Sequence, residues 1–236
     1  MIPYFTEELA ATPKGRDIPR EELAAHARDF IYKLTGKQTI YQCIHLSEEV
    51  GQWGGKPLDP QAYKDEYHRR LMERISWRVE GLKSGREKPE DHIVPGAYAM
   101  VEALQARGVE LYLASGTDDF YVQQEVRLLK LDKYFAPHIY GAQKDYKTFS
   151  KKMVIDRIIK ENNLHGAELV GFGDGYVEIE DVKSVGGFAC GVATDEVRRK
   201  GVDEWKRNRL KRSGADIIIP DFTRSDLLIQ YLYNKE

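Results

Sequence analysis

The chain has 236 residues, 42% of them hydrophobic and 31% charged, enough apolar content for one large domain or a core with a smaller appendage. Its 36 Lys and Arg against 38 Asp and Glu leave a net charge of −2, which argues against a general nucleic-acid binder. Two cysteines, Cys43 and Cys190, make no disulfide framework. The six histidines show no zinc-type spacing, no apolar run reaches the ~18–20 residues of a membrane span, and MIPYFTEEL is unlike a signal peptide. These features predict a cytoplasmic protein with a small-molecule partner and neither nucleic acid nor membrane; a monomer or homodimer is expected, with nothing in the composition to choose between them.

Up to residue 92 helix punctuation dominates. Pro19 opens a run to Leu34 that Gly36 can close, and Ile40–Gln52 is a second amphipathic stretch ended by Gly54 and Gly55. Asp59-Pro60 starts the longest helix, where Tyr63, Tyr67, Leu71, Ile75 and Val79 recur every four residues and should line a buried face. No strand is evident here, so residues 1–92 read as a helical subdomain.

From residue 93 to 236 short apolar runs alternate with helical patterns. Strands are expected at Val109–Ala114, His138–Tyr140, Leu169–Phe172, Phe188–Val192 and Asp216–Ile219. Helices are expected at Ala97–Arg107, Phe120–Leu129, Lys152–Asn162, Val177–Val185, Glu196–Lys211 and Arg224–Tyr233. That alternation predicts an α/β fold, a parallel sheet with helices on both faces. Ligands of such sheets bind at the carboxyl ends of the strands.

Three polar groups stand at those ends. Ser115-Gly116-Thr117 follows LYLA, and a hydroxyl among free backbone N–H groups suits a phosphate oxygen; as plain structure it would cap a helix. Asp174 and Glu178, four apart where a strand becomes a helix, can aim oxygens at a hard cation such as Mg²⁺, or can serve as capping acids. Lys151 and Lys152 open a helix with apolar positions Val154, Ile155, Ile158 and Ile159. The helix dipole disfavours lysine there, so a nearby anion would explain the pair. The glycines of Gly171-Phe172-Gly173-Asp174-Gly175, with Asp195 about twenty residues on, also allow a dinucleotide-binding or methyltransferase reading, but too little chain follows for most such cores. The basic stretch RRKGVDEWKRNRLKRSG reads as a solvated helix face.

In this order, the segments VPGAYAMVEALQARGVELYLASGT, KLDKYFAPHIYGA, GDGYVE, IEDVKSVGGFACGVATDE and GADIIIPDF resemble the haloacid dehalogenase (HAD) superfamily, most closely its phosphoglycolate phosphatase-like members. The resemblance implies a Rossmannoid core with an N-terminal helical cap, and a Mg²⁺-dependent phosphatase acting on a small phosphorylated metabolite, a sugar phosphate or a phosphoglycolate-like acid, through an aspartyl-phosphate. It implies Ser115 as the second-motif hydroxyl with Gly116 beside it at the substrate, Lys151 as the third-motif lysine (Lys152 the close alternative, Lys147 a weaker one), and Asp174 and Glu178 as metal ligands.

The family's opening strand and its DxDx[TV] nucleophile motif have no counterpart. Asp17, Asp29 and Asp59 lack the preceding strand and the paired acid. That strand would lie between those carrying Ser115 and Asp174. Each unpaired interior backbone group costs about 1–3 kcal/mol, against a total stability of about 5–15 kcal/mol. The expectation is that the first core strand is missing and that Met1 is an internal residue of a longer protein. The alternative is a catalytically inactive HAD-like phosphate- or ligand-binding module.

Overall fold

Pro3, in the first turn, suits a helix start, and α1 covers Ile2–Ala10. α2 (Arg20–Lys33) and α3 (Thr39–Gln52) follow, then the 25-residue α4 (Pro60–Ser84). The computed structural model describes residues 1–233, so the last three residues of the expected second domain lie outside the described residues. The chain divides into two compact units, Met1–Val79 and Glu80 onward, earlier than residue 92. The turn at Pro89–His92 is tied into the second unit, because the Arg199 guanidinium donates to the carbonyls of Glu90 and Ile93 at 2.9 and 3.0 Å.

The first unit is helical. Leu23, Ala27, Phe30 and Ile31 of α2 and Cys43, Leu46 and Val50 of α3 follow the 3.6-residue period and bury against Tyr4, Phe5 and Leu9 of α1. Phe5 and Phe30 stack at 5.8 Å. Only the start of the expected α4 stripe is fully buried: Tyr63 is sealed, whereas Tyr67, Leu71, Ile75 and Val79 are half-buried. At about 1.5 Å per residue, α4 outruns the 14-residue helices that form this core.

The second unit alternates as expected apart from the short α7, which the sequence reading did not assign: α5 (Ala97–Gln105), β1 (Leu113–Asp118), α6 (Asp119–Leu128), α7 (Asp132–Phe135), β2 (Ile139–Ala142), α8 (Lys151–Glu161), β3 (Val170–Gly173), α9 (Tyr176–Ser184), β4 (Phe188–Val192), α10 (Glu204–Arg212), β5 (Ile217–Ile219) and α11 (Ser225–Tyr233). All pairings between these strands are parallel, β1 with β2 and β4 with both β3 and β5. Helices cover both sides. On one, Phe149, Val154 and Ile158 pack with Tyr112, Ala114, Tyr140 and Leu169. On the other, Met100 and Leu104 of α5 and Leu228 and Ile229 of α11 pack with Leu111, Phe172, Ile217 and Ile219.

The sheet is in two pieces. No ladder joins β1 to β3 among the described residues, although the segments leading into them, Val109–Ala114 and Leu169–Phe172, contribute to the same two helix-covered clusters. Partial exposure marks the break: every residue of β1 is half-buried and Val170 of β3 is 37% exposed, whereas Ala189–Val192 of β4 are buried.

Two elements depart from the sequence reading. The apolar run at Val109–Ala114 enters the ladder only from Leu113, since β2 begins at Ile139, and the strand continues through an irregularity between Ala114 and Asp118. Ser115 and Gly116 are therefore inside a bulged strand end rather than after it. The helix expected from Glu196 starts at Glu204: Arg199 and Gly201 have positive φ, Thr194 bridges Val202, and the Asp203 carboxylate caps the helix by accepting from the Lys206 N–H.

Candidate active site

β3 ends at Gly173, Asp174 occupies the turn, and Gly175 is the N-cap residue of α9. Glu178, in the first turn of that helix, folds back so that its Oε1 accepts the Gly175 N–H at 3.2 Å. Both glycines leave room for this fold-back. A Cβ at residue 173 would overlap the Glu178 side chain, and one at residue 175 would stand 2.8 Å from Oε2. The group approaching the backbone here is thus the chain's own carboxylate.

Lys151 reaches the same place from α8. Ser150 caps that helix, its hydroxyl accepting the Met153 N–H at 3.1 Å. The Lys151 ammonium lies 3.1 Å from Glu178 Oε2, with both side chains only 16% exposed. The anion that a lysine at a helix start calls for is Glu178. Lys152 instead pairs with Asp156 on its own helix, and the Lys147 ammonium lies over the Tyr146 ring. Of the three lysines, the structure brings Lys151 to the Glu178 carboxylate. Asp181, one turn beyond Glu178 on α9, has its carboxyl pushed upward by burial and by Glu178, against the pull of Lys152 and Lys151.

Asp174 turns to a residue the sequence reading passed over. Its Oδ2 lies 3.2 Å from the Lys206 ammonium, which also pairs with Glu196. Burial disfavours the Lys206 charge, yet Glu196 and Asp174 outweigh it and hold the ammonium above the ordinary lysine value. Lys206 carries the same signal as Lys151, a lysine in the first turn of a helix. Its sequence neighbours are mostly solvent-facing and conceal it.

Ser115 and Gly116 stay with β1. The Ser115 hydroxyl accepts the Thr117 N–H at 3.2 Å, and among the described residues no hydrogen bond or ion pair links it to Lys151, Asp174 or Glu178. α8 is the element common to both parts, since it packs on β1 and on α9.

Asp174 and Glu178 are hard oxygen donors at one strand end, and the half-exposed Asp174 carboxylate is accessible to a cation. No group of three or more His, Cys, Asp or Glu side chains is placed to hold a metal among the described residues. Mg²⁺ is commonly held by one or two carboxylates with water and substrate phosphate, a donor chemistry that Asp174 and Glu178 share.

The family model of haloacid dehalogenase-like hydrolases matches residues 8–186. The chain belongs to this family. Solved structures of similar fold include a hydrolase from Pseudomonas syringae (19% identity, TM-score 0.58, covering 98% of this chain and 91% of that one). A predicted phosphoglycolate phosphatase from Haemophilus somnus 129PT is similar at 15% identity and TM-score 0.57, covering 98% and 91%. A β-phosphoglucomutase from Clostridium difficile is similar at 15% identity and TM-score 0.55, covering 99% and 91%. At these identities the likeness establishes the HAD-like fold. No curated protein matches the sequence.

Proposed function

We propose that this HAD-like hydrolase is a Mg²⁺-dependent phosphatase of small phosphorylated metabolites, sugar phosphates or phosphoglycolate-like acids. Ser115 and the Gly116 backbone bind phosphoryl oxygens, Lys151 neutralises the phosphoryl group, and Asp174 with Glu178 holds the metal. Bound Mg²⁺ would supply charge neutralisation at the phosphoryl oxygens. The observation carrying this reading is the Lys151–Glu178 pair, which brings an ammonium from α8 to the first turn of α9, the helix that follows Asp174.

The nucleophile in this reading is an aspartate on a strand outside these 236 residues that fills the break between β1 and β3. Its carboxylate oxygen attacks phosphorus, the ester P–O bond breaks, and the departing alkoxide oxygen takes a proton from water. Water then hydrolyses the acyl phosphate. Support comes from β1 and β3, which no ladder joins among the described residues and whose flanking segments share the same helix-covered clusters. A cytoplasmic setting is supported by two buried free thiols, Cys43 and Cys190, and no helix among the described residues is long and apolar enough to cross a membrane. We further propose a monomer or homodimer without nucleic-acid partners.

The same break between β1 and β3 favours a second reading, an inactive module that binds phosphate without turnover. The two separate on the protein isolated from its own cells, assayed with p-nitrophenyl phosphate and Mg²⁺ and then mapped by peptide mass spectrometry. Turnover with phosphate on an aspartate outside residues 1–236 supports the enzyme. Phosphate binding without turnover supports the module.

A further inference from the structure

The Lys206–Asp174 contact has no part in the phosphoryl chemistry outlined above. Lys206 stands 32 residues from Asp174 in sequence, yet its side chain is only 15% exposed while its partners Asp174 and Glu196 are 59% and 72% exposed. The ammonium is thus the enclosed member of the cluster and the carboxylates are its outer members. Its position is fixed by packing. The neighbouring Arg209 guanidinium lies 4.4 Å over the ring of Tyr176, the first residue of α9, and 5.2 Å over Trp205, which pins α10 against the start of α9. The Asp203 cap holds the Lys206 backbone in the first turn.

We propose that Lys206 is a built-in counter-cation for Asp174, competing with a divalent ion for that carboxylate, and that Glu196 receives the ammonium when the ion arrives. This rests on the reading that Asp174 takes the metal. A dication on Asp174 meets the Lys206 charge within one side-chain length, and like charges so close repel strongly. Two carboxylates sharing one ammonium provide a route past that repulsion: the ammonium keeps Glu196 as a partner while Asp174 is released. Lys206 therefore sets metal affinity without being a ligand, and it keeps the Asp174 carboxylate neutralised in the metal-free protein.

The test is Mn²⁺ binding to the full chain, read as loss of the free-ion electron paramagnetic resonance signal. K206Q is expected to bind Mn²⁺ about three- to tenfold more tightly, the range for losing one partly exposed charge pair and one repulsion. K206R keeps the parent affinity, and E196Q weakens binding by about two- to fivefold, because the ammonium then has only Asp174 as a partner. K211Q, the same charge change at an exposed site further along α10, stays within about twofold of the parent. Unchanged or weaker binding in K206Q, or an equal gain in K211Q, overturns the proposal. D174N reports on the underlying reading separately: if it binds Mn²⁺ as well as the parent, the metal is not at Asp174 and both fall. If D174N loses the ion while K206Q is unchanged, only the counter-cation role falls.

Discussion

Replacing Gly173 by alanine isolates the packing that builds the end of β3. The new methyl group would overlap Glu178 Cγ and lie 3.1 Å from its Cδ, so the side chain must swing out of the turn. Three terms follow: the lost Glu178–Gly175 hydrogen bond, about 0.5–1.5 kcal/mol; the lost Lys151–Glu178 pair, about 1 kcal/mol for groups this enclosed; and residual crowding of about 1 kcal/mol. The sum is about 2–4 kcal/mol. For 236 residues it corresponds to a fall in Tm of roughly 5–15 °C, at about 2–4 °C per kcal/mol. Urea denaturation of a double-mutant cycle checks the cause. Glu178→Ala alone should cost about 1–2.5 kcal/mol, since it removes the same hydrogen bond and ion pair. The double variant should lose little beyond that, because alanine at 178 leaves only a Cβ, 3.2 Å from the new methyl. Losses that simply add would refute the claim that the glycine serves the Glu178 fold-back.

Four further outcomes are expected. Asp174→Asn should keep the parent unfolding free energy in urea within about 0.5 kcal/mol, the carboxylate being exposed, while abolishing Mg²⁺-dependent phosphatase activity in the native protein. Lys151→Met should weaken inorganic phosphate binding about tenfold or more, as expected for removing a charge-assisted contact, measured by calorimetry. The Lys206 ammonium is held above its ordinary value in the fold, so its stabilisation is fully present below about pH 10 and is lost as pH rises through the folded value. The stability gap between parent and Lys206→Gln should accordingly be flat through neutral pH and shrink only above about pH 10. Cys43 and Cys190, fully buried with thiols pushed up to about 12 by burial, should resist an aromatic disulfide reagent at pH 8 and react fully once urea unfolds the chain.

Much of this was legible in the sequence where local physics decides. β4 occupies Phe188–Val192 as its unbroken apolar run predicts, and α8 begins one residue before the expected Lys152. Legibility failed where a partner decides. Val109 and Leu111 are apolar enough for a strand and pack against the α5–α11 side, yet the ladder begins at Leu113 because β2 offers nothing earlier. The stripe on α4 has the right period but only Tyr63 meets enough neighbours to be sealed. At the site, Lys151 was marked by its awkward place at a helix start, and Glu178 by its spacing from Asp174. Lys206 bore the same mark, but its partner lies 32 residues away across a helix and a strand, a proximity only the fold creates.

Calorimetric titration of the chain with inorganic phosphate, with and without Mg²⁺, reaches the core of the account. One phosphate per chain should bind, strengthened by Mg²⁺, and Ser115→Ala, Lys151→Met and Asp174→Asn should each weaken it about tenfold or more. Phosphate binding that is indifferent to Mg²⁺ and equal in all three variants would mean that these residues do not share a site.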